Sequence, residues 1–421
     1  MTDLVVSKNP YAPLEYRPGT RRIKVLLISH TCQSRTEGQP KAHALASLPD
    51  IDLHLLTPKR WLHYGSWREA QPPIDPQFQI TMAPVRFPWV GPAQYFLHYY
   101  PSLPKLLTTF KPDVIDLWEE PWGYVSAHTC KLRNRLLPSA KIVSETEQNI
   151  NKHLPFPFEK FRTFTLRQAN FAVGRNVESI DVIRSKGYTG PAQVVPNAVD
   201  TRLFRPLDRA GCKHKLLAEI SALNSQAQIE NQKSKFESPS DIFLAGYAGR
   251  LVPEKGLMDL LDALPQAPAN VHVVLVGSGP QEAELRARAG ALNLAHRLHI
   301  LPARPLEQLP EVFNALDVFV LPSRTTARWK EQFGRVIIEA HACGTPVIGS
   351  NSGGIPDVIA DGGLIVPELD PPAIAAALTR FATDPSFAAA CGRAGLETAR
   401  SHYTWQTVAR TMAAIYQRVV A

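Results

Sequence analysis

Short apolar runs with almost no polar alternation recur along the first half of the chain, at residues 23–29, 51–57, 113–118, 141–144, 170–174 and 193–195. The run Val25, Leu26, Leu27, Ile28 carries no polar residue at all, the pattern of a strand covered on both faces. The stretches between these runs are long enough for crossover helices. Strand–helix–strand order predicts a parallel sheet with right-handed connections. The second half repeats the scheme, with runs at 242–248, 271–276, 298–301, 317–321, 346–349 and 363–366 and helical patterns over 255–264, 280–291, 334–343 and 372–381. Between the halves, Pro196, Asn197 and Asp200 mark a turn and linker. The polar stretch 208–241 predicts a short helix over 213–223 and a mobile loop. Residues 403–421 space Val408, Met412, Ile415 and Val419 along one helical face. The pattern is that of an α/β chain with two Rossmann-like, doubly wound halves.

Length agrees with that division, since 421 residues suit two domains of roughly 200 each. No apolar run approaches the roughly 20 residues that span a bilayer. The polar start, residues 1–22, has no apolar signal core, so a cytoplasmic protein is expected. Cys32, Cys130, Cys212, Cys343 and Cys391 are scattered without metal-ligand spacing and read as free buried thiols. The formal charge of +8 admits nucleic acid, an anionic membrane or a phosphate-bearing substrate as partner. No basic run or base-stacking motif supports nucleic acid. Aromatic residues from Trp61 to Tyr100, among them Tyr64, Trp67, Phe87, Trp89 and Tyr95, crowd a proline-containing stretch. Either they pack as core or they form an acceptor-binding or membrane-facing surface.

Open parallel sheets bind ligands beyond the carboxyl ends of their strands, and two such sheets facing each other would enclose a cleft. Residues 246–256 leave a strand and enter a helix. Gly249 allows close approach of the backbone to a ligand, and Arg250 and Lys255 place two positive charges near a helix N-terminus. That arrangement suits a diphosphate. Gly277-Ser278-Gly279-Pro280 also ends a strand, but without a Walker lysine or full GxGxxG spacing it argues against ATP hydrolysis and against a dinucleotide fingerprint. Glu331 precedes a predicted helix; Glu339 lies on it among Val336, Ile337, Ile338 and Ala340, and so should be largely buried. A buried carboxylate needs hydrogen-bond donors, which a ribose diol, backbone or a nearby arginine would supply. A further glycine-rich turn follows at 349–357. In the first half, a strand ends at His30 and a helix begins near Gln39-Pro40. Gly38 and that helix N-terminus are expected to approach the donor phosphates. Asp50-Ile51-Asp52 stands where a helix leads into a strand, at the wrong end of the sheet for a metal site, and no metal is expected.

With these pieces in place, the chain resembles the retaining family 4 glycosyltransferases of the GT-B fold, the glycosyl transferases group 1. The matching stretches are PNAVDTRLFRP at 196–206, GRLVPEKG at 249–256, VGSGP at 276–280, DVFVLPS at 317–323, and EQFGRVIIEA with the glycine-rich turn after it, over 331–359. The resemblance implies that Arg250 and Lys255 hold the diphosphate, Glu331 the sugar hydroxyls and Glu339 the ribose. It implies that backbone near Phe333, Gly334, Arg335 and Val336, with Gly249 and Gly277, meets the donor. It also implies that a closing helix, 404–421, returns to the N-terminal domain, giving domains 1–198 with 404–421 and 199–403. Many members carry a histidine after the fourth N-domain strand; the matching stretch here is Val143 to Asn149, and Glu145 or Glu147 stands in its place.

The implied activity is metal-independent, retaining transfer of a hexose from a nucleotide-sugar co-substrate, UDP-sugar favoured over GDP-sugar, without a further cofactor. The leaving phosphate would help deprotonate the acceptor. The acceptor would be a hydroxyl of a saccharide or lipid-linked molecule in cell-surface polysaccharide or glycolipid synthesis, with peripheral contact at the inner face of the plasma membrane. Two other readings fit the same fold: a GT-B nucleotide-sugar epimerase, and a non-catalytic binding scaffold.

Overall fold

The computed structural model describes residues 14–63, 66–87, 94–226 and 242–421. The chain forms two compact units, Met1–Asn197 with Trp405–Ala421, and Ala198–Thr404.

In the first unit the strands are β1 (Ile23–Ile28), β2 (Ile51–Pro58), β3 (Arg60–His63), β4 (Ser66–Glu69), β5 (Gln79–Ala83), β6 (Val114–Leu117), β7 (Lys141–Thr146), β8 (Phe171–Gly174) and β9 (Ala192–Val194). Seven of them make one parallel sheet in the order β5-β2-β1-β6-β7-β8-β9. The register sets Ile23 beside Ile51 and Val25 beside Val114. β1 is buried at every position but Lys24, because helices cover both of its faces. Leu26, Ile28, Leu56, Ile115, Leu117 and Ile142 sit in the main core of this unit. The closing helix Trp405–Val420 packs here, against the helix Gln39–Ala46, and buries Val408, Met412 and Ile415.

The second unit holds β10 (Phe243–Ala248), β11 (Val271–Val276), β12 (Leu298–Leu301), β13 (Val318–Leu321), β14 (Val347–Ser350) and β15 (Gly363–Val366). Its sheet runs β12-β11-β10-β13-β14-β15, all parallel. In both sheets the first strand lies inside, and the order reverses beside it, between β1 and β6 and between β10 and β13.

Every apolar run became a strand within a residue or two of its expected ends. Four features differ. β5 escaped notice because it is a half-exposed edge with polar Gln79 and Thr81 in its five residues. The antiparallel β3–β4 pair likewise lacks an apolar run. The helix expected over 255–264 is a turn of 3-10 helix, Pro253–Lys255, followed by Leu257–Ala263, because Gly256 at φ 66° breaks the helical path between them. The helix expected at 213–223 extends over Arg209–Gln226, and most of the predicted loop behind it lies outside the described residues. In the aromatic stretch, Trp61 and Tyr100 are fully buried, which is core packing, while Trp67 and Phe87 are exposed. Tyr64 and Trp89 lie outside the described residues.

Candidate active site

In the second unit the reversal of strand order lies between β10 and β13, and the residues just past their carboxyl ends are those a ligand would meet. Past β10 come Gly249 and Arg250; past β13 comes Ser323. Lys255 Nζ lies 2.6 Å from Glu331 Oε2, and the Ser323 hydroxyl donates to the same oxygen at 3.1 Å. The Trp329 ring sits 4.8 Å from the Lys255 ammonium. The two side chains are 16% and 12% exposed, so water screens this pair less than a surface pair while leaving it reachable. The Gly354 N–H holds the Glu331 carbonyl at 3.1 Å.

The turns converge tightly. A Cβ on Gly277 would fall 1.8 Å from the Gly249 carbonyl oxygen, so only glycine lets the β10 and β11 turns meet. Leu251 N–H then donates to Ser278 O at 2.9 Å. Arg250 is exposed, and its carbonyl accepts the Tyr247 hydroxyl at 2.9 Å. Gly277 and Ser278 border a cavity of about 500 Å³ that also touches Glu282, Arg286 and Leu301, a volume within the range of small-molecule sites. Gly334, at φ 79°, starts the helix Arg335–Ala342. Phe333 is buried against the Tyr403 ring at 5.7 Å. Arg335 is exposed, Val336 half-buried, and Glu339 buried at 8% exposure.

In the first unit the reversal falls between β1 and β6, and a histidine meets a glutamate there. The His30 N–H donates to Glu119 Oε1 at 2.6 Å, and His30 Nδ1 lies 2.7 Å from Glu119 Oε2. The Trp61 ring stacks on the imidazole at 4.9 Å. Burial opposes charge on His30, but the Glu119 charge and hydrogen bond, helped by Glu147 and Glu120, outweigh it and raise the pKa. Burial likewise pushes the Glu119 carboxyl up, and His30 and His98 pull it back down, to about 2. Glu120 accepts the Thr146 hydroxyl and the Glu147 N–H, each at 2.7 Å. Burial dominates there and lifts it to about 7.

Glu145 lies inside the unit. Lys41 binds one of its carboxylate oxygens and Arg175 the other. Asp116 joins them, 3.3 Å from Lys41 Nζ, and accepts the Tyr416 hydroxyl at 2.6 Å. Burial, then the neighbouring Glu145 charge, raises the Asp116 carboxyl. Burial works against Glu145 as a charge, yet Arg175 and Lys41 hold it low. Glu147 is 38% exposed and lies 3.4 Å from Arg175. Gly38 is buried, and a Cβ there would come within 2.6 Å of the Cys32 backbone, so the chain itself requires that glycine. Asp50 accepts Gly19 N–H at 2.9 Å and Gln417 at 2.8 Å and also binds Tyr16; it pins the closing helix.

Residues 228–398 match the family described as Glycosyl transferases group 1. Over that stretch the chain is similar to the glycosyl transferases group 1. A D-inositol 3-phosphate glycosyltransferase of Streptomyces avermitilis is 37% identical over 44% of this chain and 41% of its own length. A GDP-mannose-dependent alpha-(1-6)-phosphatidylinositol monomannoside mannosyltransferase of Mycolicibacterium smegmatis is 38% identical over 38% of this chain and 43% of its own. The chain thus spans less than half the length of these curated relatives. Among solved structures, sucrose-phosphate synthase from Thermosynechococcus elongatus superposes with a TM-score of 0.67 at 22% identity, covering 94% of this chain and 99% of that one. Anabaena HepE in complex with UDP gives 0.66 at 18% identity, covering 94% and 100%. Both likenesses show the GT-B fold.

The matched stretch gathers Gly249, Lys255, Gly277 and Glu331 around the ends of β10, β11 and β13. Within the first unit, Glu145 is withdrawn into the core rather than presented at a strand end, since both of its oxygens are taken by buried cations. The His30–Glu119 contact, Lys41 and Arg175 were not read from the sequence. The strand end at His30 was visible; its partner Glu119, after β6, follows from the same strand-end rule once the strand order is known. Among the described residues, no group of three His, Cys, Asp or Glu side chains stands as a metal site, and no helix is long and apolar enough to cross a membrane.

Proposed function

We propose that the protein is a retaining glycosyltransferase that moves a hexose from a nucleoside-diphosphate sugar to a hydroxyl of a saccharide or lipid-linked acceptor. The observation that carries this reading is the half-buried Lys255–Glu331 pair, placed with Ser323 past the strands where the order of the second sheet reverses. Arg250 and Lys255 bind the diphosphate and stabilise the charge that grows on it as the glycosidic bond breaks, in the role a metal ion would otherwise fill. Glu331 accepts hydroxyls of the sugar, and Glu339 those of the ribose. Backbone of Gly249, Gly277 and 333–336 closes around the donor. Preorganised charge of this kind contributes about 3 kcal/mol per contact to the transition state. The relatives named for inositol phosphate and phosphatidylinositol mannoside acceptors support an acceptor rich in hydroxyls in surface glycan or glycolipid synthesis. The relative named as GDP-mannose-dependent supports a GDP-sugar donor alongside the UDP-sugar expected from the sequence.

Calorimetric titration with UDP, GDP and ADP tests the reading. At least one binds, and Arg250→Ala weakens it about tenfold or more, the loss of one charge-assisted contact. If none of the three binds, the protein is a scaffold. Hydrolysis of a panel of nucleotide sugars then identifies base and sugar, and conversion of a donor without release of nucleotide would reveal an epimerase.

A further inference from the structure

We propose that Trp329 is a positioning residue of the donor site: its indole and Glu331 share the Lys255 ammonium and keep it ready for the diphosphate. This rests on the glycosyl-transfer reading and adds one residue of the second unit to it.

Three observations carry it. First, the ammonium has two partners of different kinds. Glu331 Oε2 lies 2.6 Å from Nζ, and the Trp329 ring centroid lies 4.8 Å away, within cation–π range. Among the described residues no other group bonds Nζ, and an ammonium carries three N–H donors. A donor is therefore left for an anion. Second, only these contacts fix the end of the lysine. Its backbone is clamped: a Cβ on Gly256 would fall 1.9 Å from the Pro322 carbonyl oxygen, and Arg324 N–H donates to Glu254 O at 2.8 Å. The four-carbon stem beyond that backbone is flexible, so its tip is placed by what it touches. Third, the indole is itself held. Thr326 N–H donates to Trp329 O at 2.8 Å, and Trp329 N–H donates back to the Thr326 hydroxyl oxygen at 2.9 Å. Arg324 Nε binds Asp259 at 2.6 Å before this turn, and Gly354 N–H binds Glu331 O at 3.1 Å after it. The ring is half-buried.

The two partners act differently on the cation. A carboxylate cancels the charge it holds, and Glu331 is also needed for the sugar hydroxyls. The indole is neutral. It attracts the ammonium through the ring quadrupole and leaves the whole positive charge for the diphosphate. Trp329 thus keeps Lys255 in place when Glu331 turns its oxygens to the sugar. A leucine fills similar space without a ring face, and phenylalanine offers a weaker one.

The test uses the full chain, with UDP and GDP titrated by calorimetry and hydrolysis of UDP-glucose and GDP-mannose followed for kcat and KM. Trp329→Leu weakens the diphosphate that wild type binds about fivefold, the weight of a partly desolvated cation–π contact, while Trp329→Phe loses about twofold. Donor hydrolysis falls in the same order, and both variants keep the urea midpoint of wild type. In a Lys255→Ala background, Trp329→Leu changes affinity by less than about twofold, because the ring acts through the ammonium. Wild-type binding by Trp329→Leu, equal losses in the Leu and Phe variants, or an undiminished loss in the Lys255→Ala background each overturns the proposal while leaving glycosyl transfer intact. A wild-type chain that binds neither diphosphate and hydrolyses neither donor overturns both.

Discussion

The two sheets share a winding scheme yet use their charges differently. In the first unit, Lys41, Asp116, Glu145 and Arg175 are fully buried and bound to one another. In the second, Lys255 and Glu331 stay partly open to solvent past the strand ends. A buried network has already spent its charges on internal partners, and losing one member strands the others. An open pair can exchange its partner for a ligand. The contrast separates residues that hold the fold from residues that solvent and solutes can reach.

The sharpest way to break this contrast is Lys41→Met. It leaves Glu145 and Asp116 without their shared cation and should lower stability by about 3–5 kcal/mol, the usual result of removing one partner of a buried pair, as read by urea denaturation. A loss below about 1 kcal/mol would mean that water or rearrangement rescues the site. Lys255→Ala should do the reverse. Stability should fall by less than about 1 kcal/mol, as for most partly exposed pairs, while donor turnover drops about 100-fold. Equal losses of stability and turnover would place Lys255 with the structural group.

A third test uses pH. In the second unit His272 and His299 stack at 5.4 Å, with Nδ1 of the first 3.1 Å from Nε2 of the second. Burial, then the Arg297 charge, lowers His272 to about 4, and burial, then His272, lowers His299 to about 3. Their folded values lie below the unfolded ones, so their contribution is complete above about 6.5 and is lost as pH falls through that value toward 4. The loss is on the order of 3 kcal/mol for one such group. Asp116 has the opposite sign: its folded value is raised, so its contribution is lost as pH rises. Denaturation of wild type against His272→Leu/His299→Leu between pH 7 and 5 should show a flatter acid loss in the double variant. An unchanged slope would remove the imidazole pair as the acid-sensitive element. The smallest effect is expected from Tyr416→Phe, which deletes one hydrogen bond to Asp116 at a cost of about 1–2 kcal/mol and should leave nucleotide binding untouched.

Much of this contrast was legible before any coordinates. Apolar runs without alternation located the parallel strands because burial on both faces leaves a one-dimensional trace. β5 left no such trace, since an edge strand needs only one covered face. The second unit's candidate site could be proposed from sequence because Gly249, Lys255 and Glu331 lie in turns immediately after apolar runs, and Glu339 stands out as a carboxylate inside one. The partners of Glu145 were not readable. Lys41 is 104 positions from it and Arg175 is 30, and only the stacking of β7 against its neighbours brings them together. His30 and Glu119 are 89 residues apart and meet because β1 and β6 are adjacent, a fact of strand order that periodicity does not encode.

The helix Trp405–Val420 completes a unit that begins almost 400 residues earlier, and the Tyr416–Asp116 contact closes a loop of 300 residues. During synthesis from the N-terminus, all of the second unit therefore emerges before the first has its last wall. Until then Val25 through Ile28 and their neighbours have their sheet but lack one helix, and Asp116 lacks the tyrosine that binds it. Chain order and assembly order thus run opposite ways: the half made first is the half that matures last.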